Sequence, residues 1–384
     1  MANIFDGYKA ISSDSFLKNH WQQLPVVLRE LVPVNELEIT ADELAGLSLE
    51  EDVESRIVVN DGDDYVLHNG PFDESIFETL GDGRWSLLVQ AVDLWNQSIH
   101  ELMNRFSFVP NWRRDDVMIS FSTEGAHVGP HYDHYDVFLI QASGKRTWKT
   151  GGSCNRDTER DTNCESLDLI LDEDFDQAHT LLPGDVLYVP PGVRHWGITD
   201  EAGMTISIGF RAPSAAELLS LLAKEVEDEY SEDLRFSDAK RSAAASSGEL
   251  AHEDVVRAQT LMRSIIDNDQ QFAAWFGALM TEPKYDELLP YNDRIDPELE
   301  GLTSVSLVRD PCTRCAYYRS DDALVWLING EIYHFEPQSS QATIAKRLSD
   351  HVINDFNSIS ELADDTSREW LDNLLEDGSF YVHE

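Results

Sequence analysis

The chain has 384 residues, of which 42% are hydrophobic and 10% aromatic, so it can bury a sizeable core and is too long for one small module. It carries 29 Lys and Arg against 72 Asp and Glu, a net charge of −43, which argues against direct nucleic-acid binding and favours a basic partner. No stretch approaches the roughly 20 apolar residues of a membrane span, and the first residues do not have the pattern of a secretory signal. The 4 cysteines are too few for a disulfide scaffold. We therefore expect a cytoplasmic protein with free thiols.

The first 110 residues contain two predicted helices and one predicted strand. Residues 15–21 have the pattern of a helix start, and residues 25–29 read as a strand. Residues 85–95 place apolar side chains at helical spacing, so we predict a second helix there.

Residues 116–212 have a different pattern, in which short β-rich runs alternate with Gly, Pro and Asp turns. The predicted strands cover residues 117–123, 135–141, 146–149, 186–189 and 204–210. The turns include Pro183-Gly184-Asp185 and Pro190-Pro191-Gly192. Many short strands with such turns predict a β-sandwich or jelly-roll barrel.

From Pro213 the apolar spacing becomes helical again. Residues 218–226 and 255–265 each carry an apolar stripe, and residues 242–248 between them read as a linker. Such a helix pair can form a dimer or an ordinary intramolecular core, and both readings are open. Beyond residue 288 the pattern is mixed, with strands at 305–308, 323–327 and 331–335 and helices at 342–347 and 369–375.

His131-Tyr132-Asp133 is the local motif that points most directly to chemistry. In a strand, residues i and i+2 face the same side, so His131 and Asp133 would project together. His195, just after the Pro-Pro-Gly turn, is the natural third ligand. Two histidines and one carboxylate form the facial triad that non-haem Fe(II) oxygenases use.

Three other histidines and one arginine in this region are further candidates for a functional role. His134 should face away from Asp133, His127 lies in a Gly-containing loop that we expect to be exposed, and His179 has no assigned role. Arg146 begins a strand and could hold a carboxylate with its planar guanidinium, although by position alone a surface salt bridge is favoured.

Six ordered segments resemble the bacterial JmjC-type ribosomal oxygenases. They are residues 16–29, 85–95, 115–121, 131–138, 183–192 and 207–213. The resemblance implies an α+β fold. A double-stranded β-helix (a jelly-roll, cupin-like JmjC core) with an N-terminal extension would occupy residues 1–212, with its barrel at about 100–212. A helical dimerisation region would follow at 213–285, and a winged-helix-like domain at 286–384.

The same resemblance implies an enzyme that uses Fe(II), 2-oxoglutarate and dioxygen to hydroxylate the Cβ of an arginine in a basic ribosomal protein of the large subunit. His131, Asp133 and His195 match the iron ligands, and Arg146 matches the residue that holds the far carboxylate of 2-oxoglutarate. Asp116, Tyr135 and Ser207 match the pocket for the substrate arginine. Alternation along a strand supports two of these positions. Tyr135 is two residues from Asp133 and should face the same cavity. Ser120 is four residues from Asp116, should share its face, and could touch the co-substrate.

Two other functions remain open from the sequence. The same chemistry could act on histidine or on another protein, or the barrel could be a non-catalytic cupin-like metal-binding or scaffold module. The intact set of three ligands and Arg146 argues against the last. Cys312-x-x-Cys315 lacks a second pair that would complete a zinc site, and an acidic tail favours a structural or protein-contact role for the last domain.

Overall fold

The computed structural model describes residues 3–61, 64–162, 167–171, 174–230, 234–244, 246–285, 288 and 305–383. The chain divides into two units, Met1–Ala212 and Pro213–Glu384. The predicted subdivision of the second unit after residue 285 lies beside residues 286–304, most of which are outside the described part, and it stays a prediction.

The strands of the first unit form an antiparallel sheet of eight strands and another of three. The order in the large sheet is β1 (Val26–Leu28), β9 (Val186–Val189), β6 (Val137–Gln141), β11 (Gly203–Phe210), β5 (Arg114–Ser122), β4 (Trp85–Val89), β2 (Ser55–Asp61) and β3 (Asp64–Asn69). The order in the small sheet is β10 (Val193–Glu201), β7 (Lys145–Ser153) and β8 (Phe175–Leu181).

The two sheets make a double-stranded β-helix. β9, β6, β11 and β5 form one wall, and β8, β7 and β10 form most of the other. An isolated bridge between His131 and His195 adds the fourth member to the small sheet. Buried Leu139 and Leu187 from the large wall cluster with Leu181 from the small one. The predicted jelly-roll core is therefore confirmed.

The other face of the large sheet packs on the helices of the first unit. These helices are α1 (Ser13–Asn19), α2 (Ala41–Leu47), α3 (Ser75–Leu80) and α4 (Gln97–Asn104). Fully buried Phe16 of α1 contacts Phe138 and Tyr188, with ring centroids 5.4 and 4.9 Å away. Helix α1 starts two residues earlier than predicted because the Ser12 side chain caps it, accepting from the backbone N–H of Ser15.

The predicted helix at residues 85–95 is wrong. Residues Trp85–Val89 form β4, which lies between β2 and β5 and is buried at every position. A strand covered on both faces reads as a continuous apolar run, which spacing alone cannot distinguish from a buried helix. The strand ends near Ala91, whose φ of 52° is left-handed, and a short 3₁₀ turn follows at Val92–Leu94.

The second unit contains six helices and six strands among its described residues. The helices are α5 (Ala215–Tyr230), α6 (His252–Ile266), α7 (Asp269–Thr281), α8 (Ser340–Asp350), α9 (Phe356–Leu362) and α10 (Asp365–Glu376). The strands form two antiparallel sheets, β16 (Ile353–Asp355) with β12 (Ser306–Arg309) and β17 (Phe380–His383), and β13 (Cys315–Arg319) with β14 (Leu324–Ile328) and β15 (Glu331–Phe335).

The core of this unit is built around Trp326 on β14. Its ring lies 5.0 Å from that of Trp370 on α10, and its indole N–H donates to the Ser349 hydroxyl at 2.9 Å. Cys154, Cys312 and Cys315 are free thiols, as predicted, and Cys164 lies outside the described residues. Among the described helices, none is both long and apolar enough to cross a membrane.

Candidate active site

The backbone places His131 and His195 directly opposite each other. The His131 N–H donates to the His195 carbonyl at 3.1 Å, and the His195 N–H donates back at 2.9 Å. Their ring centroids are 4.3 Å apart. Gly129 has a φ of +86°, and a Cβ there would lie 2.8 Å from Leu169, so glycine is needed where the chain turns into His131.

Both imidazoles are oriented by a hydrogen bond from Nδ1 to the backbone carbonyl two residues earlier in the chain. Nδ1 of His131 lies 3.0 Å from the Gly129 carbonyl, and Nδ1 of His195 lies 3.0 Å from the Val193 carbonyl. Because a carbonyl only accepts, each Nδ1 carries the hydrogen and each Nε2 keeps its lone pair for a metal. These two hydrogen bonds could not be predicted from residue spacing, because they depend on the backbone geometry.

Asp133 completes the cluster. Its Oδ2 lies 3.5 Å from Nε2 of His195, and one ligand atom from each of His131, Asp133 and His195 lies within 4.8 Å of the others. Burial, and then the nearby His131, lower the pKa of His195 to about 4, so its imidazole is neutral at pH 7. Two imidazoles and a carboxylate suit a divalent iron and leave coordination positions for other ligands.

Arg146 lies inside the barrel, and the surface salt bridge favoured by its position alone is wrong. The side chain of this residue on β7 is buried, and its Nη atoms donate to Gly197 O at 3.2 Å and to the hydroxyls of Ser120 and Thr205 at 3.5 Å. Among the described residues no carboxylate pairs with it, and its Nε has no hydrogen-bond partner. Burial lowers its pKa to about 10, so it remains a cation at pH 7. A buried, unpaired guanidinium fits the carboxylate of a co-substrate.

The predicted substrate pocket contains one buried carboxylate. Asp116 on β5 is buried, and its Oδ2 accepts from Nε2 of Gln90 at 2.8 Å. Ser207 on β11 is also buried. The neighbouring Asp115 is half-buried and pairs with Arg211 at 3.2 Å. Gln90 was missed because the segment that carries it was taken for a helix.

Tyr135 is placed differently from the parity argument. The strand predicted from residue 135 begins at Val137, so the segment between His131 and β6 is irregular and alternation does not apply to it. The side chain is 43% exposed. Burial, and then the charges of Asp133, Asp116 and Asp115, raise the pKa of Tyr135. A Cβ built at Gly209 would lie 3.9 Å from both Asp116 Oδ1 and Tyr135 Cε2, so the phenol ring lies on the same side as the buried carboxylate.

The remaining histidines lie apart from the cluster. His134 is exposed and stacks edge-on against Tyr132, and His179 bonds to Gln177 at 3.0 Å. The expectation that His127 is exposed is wrong, because it is half-buried between Tyr65 and Trp196. Burial, followed by Arg146, Arg84 and Lys149, lowers its pKa to about 4.

Comparisons with protein-family models match both units. The model of the JmjC domain covers residues 101–218, and the model of a ROXA-like winged helix covers residues 264–381. The second match agrees with the winged-helix-like fold predicted for the end of the chain.

Comparisons with individual proteins extend this likeness over most of the chain. Ribosomal protein uL16 3-hydroxylase of Escherichia coli is 37% identical over 278 residues, covering 71% of this chain and 72% of the relative. A probable ribosomal oxygenase of Haemophilus influenzae is 30% identical over 380 residues, covering 93% and 90%. The structure of the Escherichia coli ribosomal oxygenase YcfD with cobalt and 2-oxoglutarate aligns with a TM-score of 0.82 and 30% identity, covering 98% of this chain and 99% of the other.

Proposed function

This chain belongs to the JmjC-type ribosomal oxygenases, and from that premise we propose that it hydroxylates the Cβ of an arginine in the large-subunit ribosomal protein uL16. It is a 2-oxoglutarate-dependent oxygenase. The observation that carries this conclusion is the cluster of His131, Asp133 and His195 beside the buried cation of Arg146, which no carboxylate pairs with in the part of the chain that the structure describes. The same features argue against the non-catalytic scaffold.

The residues of the chain hold and orient the bound metal, co-substrate and substrate, and the bound groups supply the reactivity. With Fe(II) and 2-oxoglutarate bound, one dioxygen is consumed, and succinate, carbon dioxide and a hydroxylated carbon are formed. His131, Asp133 and His195 would hold the iron. Arg146, supported by Ser120, would hold the far carboxylate of 2-oxoglutarate inside a barrel whose apolar walls exclude water.

The arginine specificity is supported by charge. A buried carboxylate such as Asp116 is stabilised by a cation, and a guanidinium can bind it through two parallel hydrogen bonds. Gln90 holds one carboxylate oxygen at 2.8 Å and so fixes its orientation. Tyr135 and Ser207 would complete the pocket. The net charge of −43 favours encounter with a basic ribosomal protein.

We predict that Asp116→Asn lowers kcat/KM for the uL16 peptide by about 30-fold or more, because a buried charge pair loses one partner. The matched control is Asp115→Asn, one residue away, whose carboxylate pairs with Arg211 at 3.2 Å. The affinities for metal and 2-oxoglutarate should not change in either variant. Equal kcat/KM in the two variants would contradict the assignment of Asp116.

The test of the function is mass spectrometry of uL16 peptides incubated with enzyme, Fe(II), 2-oxoglutarate and oxygen. We expect a gain of one oxygen atom on an arginine, located by fragmentation. Oxygen on a histidine would keep the oxygenase and replace its target residue. No modified peptide and no succinate would overturn the proposed function.

We also propose a homodimer formed through the helices of residues 213–285. Apolar side chains are exposed on α5 and α6, namely Leu219, Leu221, Val255, Val256, Met262 and Ile266. On α6, Val255, Met262 and Ile266 are spaced by seven and four residues and so lie on one face of the helix, which supports an association surface there. We propose a cytoplasmic location, because the proposed substrate is a ribosomal protein. The net charge of −43 supports the absence of direct nucleic-acid binding.

The dimer predicts a change of mass in solution. The double variant Val255→Glu with Met262→Glu should run as a monomer in size-exclusion chromatography with light scattering, whereas the native chain runs as a dimer. Leu362→Glu, at the exposed last residue of α9, is the control and should leave the mass unchanged. A double variant that remains dimeric would exclude this surface.

A further inference from the structure

The ladder between β7 and β10 carries three buried polar atoms without a hydrogen-bond partner among the described residues. They are Nε of Arg146, Nε1 of Trp148 and Oγ1 of Thr199. Arg146 pairs with Thr199 across the ladder, and Trp148 pairs with Gly197. Alternate residues face the same side, so all three atoms belong to the inner face that also carries His195.

Trp148 lies between the cation and the metal cluster. Its ring is 4.8 Å from the guanidinium carbon of Arg146, and its centroid is 5.9 Å from that of His195. Gly197 makes this arrangement possible, since a Cβ there would lie 2.6 Å from Nε of Arg146 and 2.8 Å from the Trp148 ring. Any larger residue at 197 would push both side chains aside.

The surroundings of Trp148 explain why its indole N–H has no hydrogen-bond partner among the described residues. Trp148 is 4% exposed and belongs to an apolar cluster with Val137, Leu139 and Leu187, whose side chains carry no acceptor. Buried indole N–H groups usually find a partner, so an unpaired one beside an unpaired guanidinium indicates that a ligand oxygen belongs there.

Trp196 and Trp370 also have a buried Nε1 without a hydrogen-bond partner among the described residues, so it is the position of Trp148 that distinguishes it. Trp370 belongs to the core of the second unit. Trp196 lies on the opposite face of β10, where Lys149 sits 4.3 Å above its ring and His127 stacks against it. Among these three, Trp148 is the one that contacts both Arg146 and His195.

We propose that Trp148 is a further co-substrate-binding residue, which donates its indole N–H to an oxygen of 2-oxoglutarate between Arg146 and the metal cluster. The inference rests on the proposed function in one respect, that 2-oxoglutarate is the co-substrate. Trp148→Phe removes the donor and keeps an aromatic ring beneath Arg146, and Trp196→Phe is the matched control.

The first readout is the affinity for 2-oxoglutarate, measured by calorimetry on the full chain loaded with Mn(II) in place of iron. Loss of one hydrogen bond to a charged acceptor should weaken binding by about 10-fold or more in Trp148→Phe. Trp196→Phe should stay within about twofold of the native chain. Equal affinity in both variants would overturn the proposal, whereas failure of the native chain to bind would instead overturn the proposed function.

The second readout separates a direct hydrogen bond from indirect support of Arg146. The chain is labelled with ¹⁵N-tryptophan and loaded with Zn(II), and the Trp148 indole signal is identified by its absence in Trp148→Phe. Saturating 2-oxoglutarate should shift that signal and slow its exchange with water, while the Trp196 signal stays in place. An unmoved Trp148 signal would overturn the proposal, even if the affinity of Trp148→Phe falls.

Discussion

Replacing Asp133 with asparagine is expected to abolish hydroxylation and to weaken Fe(II) binding by more than about 100-fold. Changes in residues that only support a metal ligand cost 10- to 100-fold, and Asp133 is predicted to touch the metal itself. The amide keeps the size of the side chain but removes the charge that two neutral imidazoles need beside them for a divalent ion.

Two measurements check this expectation. Equilibrium dialysis gives the metal affinity, and succinate formation gives the turnover. His134→Ala is the control, because His134 is the exposed neighbour of Asp133 and should leave both quantities unchanged. Full metal binding by Asp133→Asn would place the metal elsewhere.

Replacing Arg146 with methionine is expected to weaken 2-oxoglutarate binding by about 100-fold, with metal binding retained. Truncating one partner of a buried, hydrogen-bonded charge pair costs about 2–5 kcal/mol, and each 1.4 kcal/mol is tenfold in affinity. Arg146→Lys keeps the charge but loses the planar fork, so it should fall between the methionine variant and the native chain.

The same variant has a second expected result in the absence of co-substrate. Arg146 is desolvated without a paired carboxylate among the described residues, so methionine at this position should leave the melting temperature unchanged or higher. Thermal unfolding with and without 2-oxoglutarate measures both effects. A lower melting temperature in the free variant would make Arg146 a structural residue.

The sequence predicted the parts of the site whose signals are local. Spacing alone brought His131 and Asp133 together, and the turn before His195 marked that residue as the third ligand. The barrel was predictable because short β-rich runs alternate with Pro-Gly turns.

Other parts of the fold and of the site depend on tertiary contacts, which residue spacing does not reveal. β4 was misread because both of its faces are buried, and with it Gln90 was missed. The strand start at Tyr135 was misread, because the segment before β6 is irregular and alternation does not apply to it. Burial of Arg146 and Trp148 on β7 follows from closure of the large sheet over the small sheet, in which β7 pairs with β10.

The measurement that tests the central claim most directly follows the atoms of dioxygen. The native enzyme, Fe(II), 2-oxoglutarate and the uL16 peptide are incubated under ¹⁸O₂, and peptide and succinate are analysed by mass spectrometry. The account predicts one ¹⁸O in the arginine and one in succinate for each turnover, both absent with Asp133→Asn. Product oxygen that comes from water, or peptide modification without succinate, would contradict it.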